Sequence, residues 1–357
     1  MVHNPPDIAA ENKLTDAGER RSICILPHLQ GVGGPASFYI KITDGLRKSG
    51  FEISENPFSN SCKSLLVIGG TNRLNYLFHA RNKGIKIVQR LNGMNWLHRI
   101  RYTGVRHYLR SEQNNLLLAY IRRFLADEIV YQSKFSQWWW QSRYKATPAG
   151  ERVVYNGVDV NSYSPGNVEY LPIDRWRVLV VEGRMGSGHQ YGIKNAYGLC
   201  KRIAEMTRQK VDLIIVGDVP LKDQKIWSSH GQVSIDWKGI IPREQIPGLD
   251  RTAHLLFPAE LNAACPNSLI EGLACGLPIV GFAVGSIPEL VGESAGICVP
   301  YGSDHWKLED PDIESLAAAA YKILQNPEPY RQAARQRAVD LFSQEKMVRL
   351  YMEALLG

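Results

Sequence analysis

Residues 265–278 read Cys-Pro-Asn-Ser-Leu-Ile-Glu-Gly-Leu-Ala-Cys-Gly-Leu-Pro, and their spacing specifies how a strand, a loop and a helix meet. Before them the apolar run Ala253–Phe257 ends in Pro258 and a short polar loop. A helix is predicted to open near Asn267, a good N-cap residue, with Pro266 just outside it. Gly276 and Pro278 stop that helix, and residues 278–282 begin the next strand. The first-turn N–H groups and the positive dipole end suit a phosphate. Glu271 lies one turn in, where a carboxylate accepts both hydroxyls of a ribose. The same residues also fit an ordinary αβ unit whose first-turn acid merely complements the dipole, so the rest of the chain has to decide.

At 357 residues the chain is long for one domain and comfortable for two. A hydrophobic fraction of 44% with 22% charged residues is ordinary for a globular protein. Six scattered cysteines form no Cys-x-x-Cys pair, which points to reduced thiols and against a disulfide framework or zinc site. No apolar run approaches the roughly 20 residues that span a bilayer, and the polar N-terminus lacks a signal-peptide core. The expected location is cytoplasmic, or peripheral at a membrane surface. Charge is uneven: residues 1–165 carry 22 Lys and Arg against 12 Asp and Glu, within a whole-chain net of +7. Between Arg73 and Arg123 eleven basic residues face one acid, Glu112. This reads as a solvated basic face or as attraction to an anionic membrane or acceptor. Nucleic acid is not expected, because no nucleic-acid fold signature accompanies the charge.

Short apolar runs alternate with amphipathic stretches, the pattern of parallel sheets covered by helices. Strands are predicted at 22–27, 65–68, 85–89, 128–132 and 152–155, with helices at 36–48, 74–82, 108–125 and 136–144. The breaker-rich stretch Tyr163-Ser-Pro-Gly-Asn167 follows, and the pattern restarts. Strands are then predicted at 177–182, 211–216, 233–237, 254–257, 278–282 and 296–299, with a helix at 191–207 besides the one near Asn267. Helices at 313–325, 329–342 and 344–355 complete the chain. The fold class is α/β, with two doubly wound domains whose ligands lie between the carboxyl ends of their strands. The division predicted is a polar segment 1–20, domains 21–165 and 177–335, and a final helical piece 336–357.

Four further stretches fall at strand ends. Gly31-Val-Gly-Gly34 follows the first strand, and its missing β-carbons let backbone approach a phosphate or sugar. It is neither a dinucleotide fingerprint, since Ala36 takes the third glycine's place, nor a P-loop. Gly183-Arg184 ends the second domain's first strand, where a guanidinium fork suits a diphosphate. Val216-Gly217-Asp218 and Trp237-Lys-Gly-Ile-Ile-Pro242 border the same crevice. Asp310-Pro-Asp312 looks like an Asp-x-Asp metal site but precedes a helix, so a cap is expected and no metal or cofactor. Trp138-Trp-Trp140 reads as core and lip packing, or as a sugar or membrane platform.

In this order, Gly33-Gly34, Tyr155-Asn-Gly-Val-Asp159, Gly183-Arg184, Gly239-Ile-Ile-Pro242 and Pro266–Pro278 resemble the retaining glycosyltransferases of family 4, with their two-Rossmann (GT-B) fold. The resemblance runs from Ile23 to the C-terminus. It implies that Glu271 grips the ribose of a nucleotide-sugar donor and Arg184 its diphosphate. Gly33, Gly34, Asn267, Ser268 and Leu269 would complete the phosphate cradle. Ile240 and Ile241 would border the base, with Gly217 and His189 nearby. It also implies that the last helices cross back to the first domain. Two departures stand out. The family's sugar-contacting glutamate, eight positions before the one matched by Glu271, is Ala263 here. Its lysine, about five positions after the arginine, is replaced by His189 and Gln190. These imply a different sugar, substitution by Glu260, Asn262 or His189, or an inactive relative.

The expected function is transfer of a sugar from a UDP- or GDP-sugar, with retention and without a metal, to a polysaccharide, lipopolysaccharide-core or lipid-linked acceptor. Arg90 and Asn92, after a strand of the basic first domain, are candidates on the acceptor side. Two alternatives stay open, a catalytically silent nucleotide-sugar-binding protein and a sugar-nucleotide epimerase. The epimerase needs acid and base side chains in the crevice, and the crevice loops show no clear pair. A nicotinamide dehydrogenase is disfavoured by the missing third glycine, although Glu52 and Glu55 fall at the distance of a ribose-binding acid.

Overall fold

A computed structural model describes residues 22–357, apart from Val32, Asn60 and residues 167–170, 186–189 and 228–230; for Arg184 it describes the backbone alone. The polar segment 1–20 and His189 lie outside the described residues.

The first lobe is a six-stranded parallel sheet. Its strands are β1 (Ser22–Leu26), β2 (Glu52–Ser54), β3 (Cys62–Ile68), β4 (Lys86–Leu91), β5 (Glu128–Tyr131) and β6 (Gly150–Val153). They lie in the order β2-β1-β3-β4-β5-β6. The second lobe repeats the plan with β7 (Arg175–Arg184), β8 (Lys210–Asp218), β9 (Val233–Gly239), β10 (Leu255–Leu256), β11 (Ile279–Phe282) and β12 (Gly296–Val299). Its order is β12-β11-β10-β7-β8-β9, again parallel. Parallel strands must be covered on both faces, which is why their cores read as unbroken Val, Ile and Leu. In β3 all but one position is buried. The chain therefore has the two-Rossmann α/β architecture, GT-B, expected from its sequence.

Strand β2 was not predicted. Only three residues long, at the sheet edge, it presents Glu52 outward and no apolar run, so periodicity leaves no trace of it. The predicted helix 108–125 begins earlier, at Val105, and its last turn, Ile121–Leu125, is a π-helix. Most of the basic stretch is exposed, but part of it is taken into the fold or paired. Arg90 and Arg122 are each 1% exposed; Arg99 pairs with Glu112, and Lys86 with Glu128. Each of these arginines or lysines finds its partner across a turn or strand, which sequence spacing does not display.

The lobes are joined twice. The helix Glu328–Phe342 packs Ala334, Ala338 and Phe342 into the second lobe's core, beside Leu269 and Leu273. At Ser343 the chain turns, and the helix Gln344–Leu356 packs Met347, Val348, Tyr351 and Leu355 against Ile23, Phe38 and Ile42 of the first lobe. The crossover is bonded to the stretch Tyr155–Asp159, since Val158 donates to Phe342 O and Gln344 donates to Val158 O. Gly157 makes room for this. A β-carbon there would lie 2.8 Å from Gln344 Cα. Gly157→Ala is expected to lower stability by about 1–3 kcal/mol, the usual cost of overpacking. A thermal melt would check it, and an unchanged midpoint would show that the crossover has slack.

Candidate functional site

The carboxyl ends of the two sheets face each other across a cleft of about 650 Å³. Gly33 and Gly34 line it from the first lobe. Glu182 and Gly183 at the end of β7, Gly217 at the end of β8, and Ile240 and Ile241 after β9 line it from the second. So do Asn267, Ser268 and Glu271 of the helix Asn267–Ala274. Leu269 is buried in the second lobe's core and does not line the cleft. The backbone of Arg184 closes β7 beside Asp218.

The helix Asn267–Ala274 starts one residue earlier than its best capping side chain suggested. Pro266 is the N-cap, Asn267 the first helical residue, and no side chain caps the helix. A proline cannot cap through its side chain, so the first-turn N–H groups are left for a ligand. Gly217, at φ +140°, is required by close approach; a β-carbon there would stand 2.1 Å from Glu182 O. It lets β8 run tight against the end of β7.

Glu271 is buried between two cations. Arg243 Nη2 is 3.0 Å from its Oε1 and Lys41 Nζ is 3.4 Å away. Lys41 comes from the first lobe, in the helix Gly34–Lys48, and also donates to Gly157 O at 2.5 Å. Burial brings its ammonium down to about 8, against the opposing pull of Glu271. Neither cation was singled out from the sequence. A signal existed for Lys41, which falls on the inward stripe of its helix between Phe38 and Ile42, where a charge needs a partner. For Arg243 the only hint is its place directly after Pro242. Gln190, standing where the resemblance implies a lysine, bonds to Asp223 at 3.2 Å and does not line the cleft.

Arg90 and Asn92 line the cleft but are held by the fold. The Arg90 guanidinium lies 3.9 Å from the Phe38 ring centroid and donates to Asn92 Oδ1 and Asn156 Oδ1. Asn156 in turn donates to Cys265 O at 2.8 Å. Arg90 thereby positions, through Asn156, the loop leading into the helix Asn267–Ala274. Of the three consecutive tryptophans, Trp140 is core and donates to Asn92 O, Trp139 lines the cleft, and Trp138 is 56% exposed. Asp312 caps the helix Ile313–Gln325 by accepting from Ser315 N at 2.9 Å.

The expectation that the crevice loops lack a carboxyl pair is corrected. Glu182 accepts the N–H groups of Ala259 and Glu260, each at 3.2 Å, and Glu260 opens on the same cleft. The two residues are far apart in sequence and meet only because β7 and β10 are neighbours. Burial, then the nearby charge of Glu260, pushes the Glu182 carboxyl up to about 8 from 4.5. Between those values the folded chain holds a proton that the unfolded chain has released, so stability falls as pH rises from about 4.5 to 8. Glu182→Gln keeps the acceptor oxygen and removes the titration. Its melting temperature should fall less steeply than the native one between pH 5 and 8; parallel curves would assign the effect elsewhere.

Residues 177–326 match the family described as Glycosyl transferases group 1. A GDP-mannose-dependent α-(1-6)-phosphatidylinositol dimannoside mannosyltransferase of Mycobacterium tuberculosis is 25% identical over 135 residues, 38% of this chain and 32% of that protein. The match thus spans about a third of that relative's length. Sucrose-phosphate synthase from Thermosynechococcus elongatus superposes with a TM-score of 0.70 at 16% identity, over 94% of this chain and 99% of that one. The Anabaena protein HepE, solved with UDP and glucose, gives 0.65 at 16% identity with the same coverages. At such identities the likeness is one of fold. The match to the group 1 glycosyl transferases thus lies in the second lobe, residues 177–326, and the chain as a whole has a GT-B fold.

Proposed function

We propose that the chain is a retaining glycosyltransferase of the family 4 type, taking a UDP- or GDP-sugar and transferring its sugar to a glycan or lipid-linked acceptor without a metal. The observation that carries this reading is the meeting, in one cleft, of an uncapped helix end, the glycine pair Gly33–Gly34 and the carboxylate of Glu271. The family match and the UDP and GDP-mannose named for HepE and the mycobacterial relative support it.

Breaking the bond to the anomeric carbon leaves negative charge on the departing diphosphate. The first-turn N–H groups of the helix Asn267–Ala274 and the Gly33–Gly34 backbone would receive it, and preorganised donors of this kind contribute about 3 kcal/mol each. Arg184, at the end of β7, and Arg243 would add positive charge, Arg243 standing in for the lysine that the family resemblance leads one to expect. Glu271 would exchange part of its pairing with Lys41 and Arg243 for the ribose hydroxyls. With retention, the acceptor attacks on the face the diphosphate leaves, so no protein nucleophile is required. The Glu182–Glu260 pair is the one feature that favours the epimerase reading. Product analysis separates them: a transferase releases nucleoside diphosphate, an epimerase returns an altered nucleotide-sugar.

The acceptor would arrive over the first lobe. There Tyr102, Val105, Leu109, Leu116 and Phe124 are exposed large apolar side chains on and beside the helix Val105–Tyr120, interleaved with exposed Arg106, Arg110 and Arg123. Such a face suits the surface of an anionic membrane carrying a lipid-linked acceptor. No described helix is long and apolar enough to cross a membrane.

A thermal-shift screen against UDP, GDP and their sugar conjugates should reveal the donor, since ligand at 100 times its Kd adds about 2.7 kcal/mol. Glu271→Ala should weaken donor binding and turnover by about one to two orders of magnitude, the worth of a charged hydrogen bond. Unchanged kinetics would remove Glu271 from the site. Turnover should persist in EDTA; its loss and recovery with Mg²⁺ would overturn metal independence. Phosphatidylserine vesicles should pull the protein down and phosphatidylcholine vesicles should not; Leu109→Ser with Arg110→Ser should weaken that capture, and equal capture by both vesicle types would refute membrane docking.

A further inference from the structure

The loop between β10 and the helix Asn267–Ala274 contains the least satisfied polar side chain of the cleft wall. Asn262 is 3% exposed and lines the cleft, and neither its Oδ1 nor its Nδ2 has a hydrogen-bond partner. Its backbone is left-handed, at φ +58°. A buried amide left unpaired costs about 1–3 kcal/mol, and on the wall of a cleft a bound partner is one way to offset it. The loop around it is held from behind and does not simply sag. Gly285 presses so close that a β-carbon there would lie 2.8 Å from Asn262 Cα and 2.9 Å from Ala263 N. Ser286 N donates to Ala263 O at 3.0 Å. The conformation that leaves the amide unpaired is therefore built in.

Its neighbours in the wall complete a pattern. Ala263 contributes only a methyl group at the position where the family resemblance leads one to expect a sugar-contacting glutamate. Glu260, two residues before Asn262, opens on the cleft, and its N–H is fixed by Glu182. An amide offers donors and an acceptor together, which matches a hydroxyl that both gives and takes a hydrogen bond. With Glu182 holding its proton, the charge that the pair keeps sits on Glu260, at the cleft, and disfavours a negatively charged guest.

We propose that Asn262, with Glu260 placed by Glu182, reads the hydroxyls of the transferred monosaccharide in place of a carboxylate at position 263, and that the accepted sugar is a neutral hexose and not a uronic acid. This rests on the reading of the cleft as a nucleotide-sugar site. The Asn262 amide bonds a ring hydroxyl, the Glu260 carboxylate accepts from another, and the diphosphate lies on the helix end some residues further along the same loop.

Calorimetric titration with UDP, UDP-glucose and UDP-glucuronate, and with GDP and GDP-mannose, separates the sugar from the nucleotide. The native chain should bind one neutral nucleotide-sugar about fivefold to thirtyfold more tightly than the matching nucleoside diphosphate, the worth of one or two hydrogen bonds. UDP-glucuronate should gain nothing over UDP. Asn262→Gly suits the left-handed backbone and so should fold; it and Glu260→Gln should each erase most of the sugar's gain while leaving nucleoside diphosphate affinity within about twofold. A full sugar gain in both variants, or tighter binding of the glucuronate, would overturn the proposal. Failure of the native chain to bind either nucleoside diphosphate would instead overturn the reading of the cleft, and this proposal with it.

Discussion

Lys41 stands at the joint of the molecule. Its ammonium belongs to the first lobe, yet it donates to Gly157 O in the connecting stretch and faces Glu271 of the second lobe. A lysine 5% exposed would be costly without those partners. Together with Arg90, which reaches Cys265 through Asn156, it ties the two sheets at the level of their carboxyl ends. The apolar crossover of the last helix supplies adhesion, but the polar struts determine which loops face each other. The cleft, its volume and its chemistry follow from that registration.

Charge in the cleft is divided by position. The uncapped helix end with Arg243 makes one region favourable to anions, while the Glu182–Glu260 pair, its charge on Glu260, makes another that disfavours them. An activated sugar carries the same division, with a charged diphosphate and an uncharged ring. That match argues for a bound molecule lying across both regions, and it gives the unpaired amide of Asn262 a place beside the uncharged part.

Much of the fold could be read from residues in order. Strand β12 and the helices Leu74–Asn82 and Ile313–Gln325 have the boundaries that hydrophobic periodicity and breakers assign to them. Edge strand β2 could not be read, because three half-exposed residues carry no period. Asn267 was mistaken for the cap because local propensity ranks it above proline, whereas Pro266 holds the cap by backbone geometry alone.

The sequence by itself determined two parallel sheets, the loops at their carboxyl ends and the helix Asn267–Ala274 that opens on the cleft, because each is written in contiguous residues whose spacing is local. The tertiary structure alone decided the partners of Glu271, the inward burial of Arg90, the carboxyl pair of Glu182 and Glu260, and the unpaired state of Asn262. Those depend on residues brought together from distant strands and from both lobes. Distance in the chain carries no record of such contacts, since burial and charge pairing are settled only when the sheets come face to face.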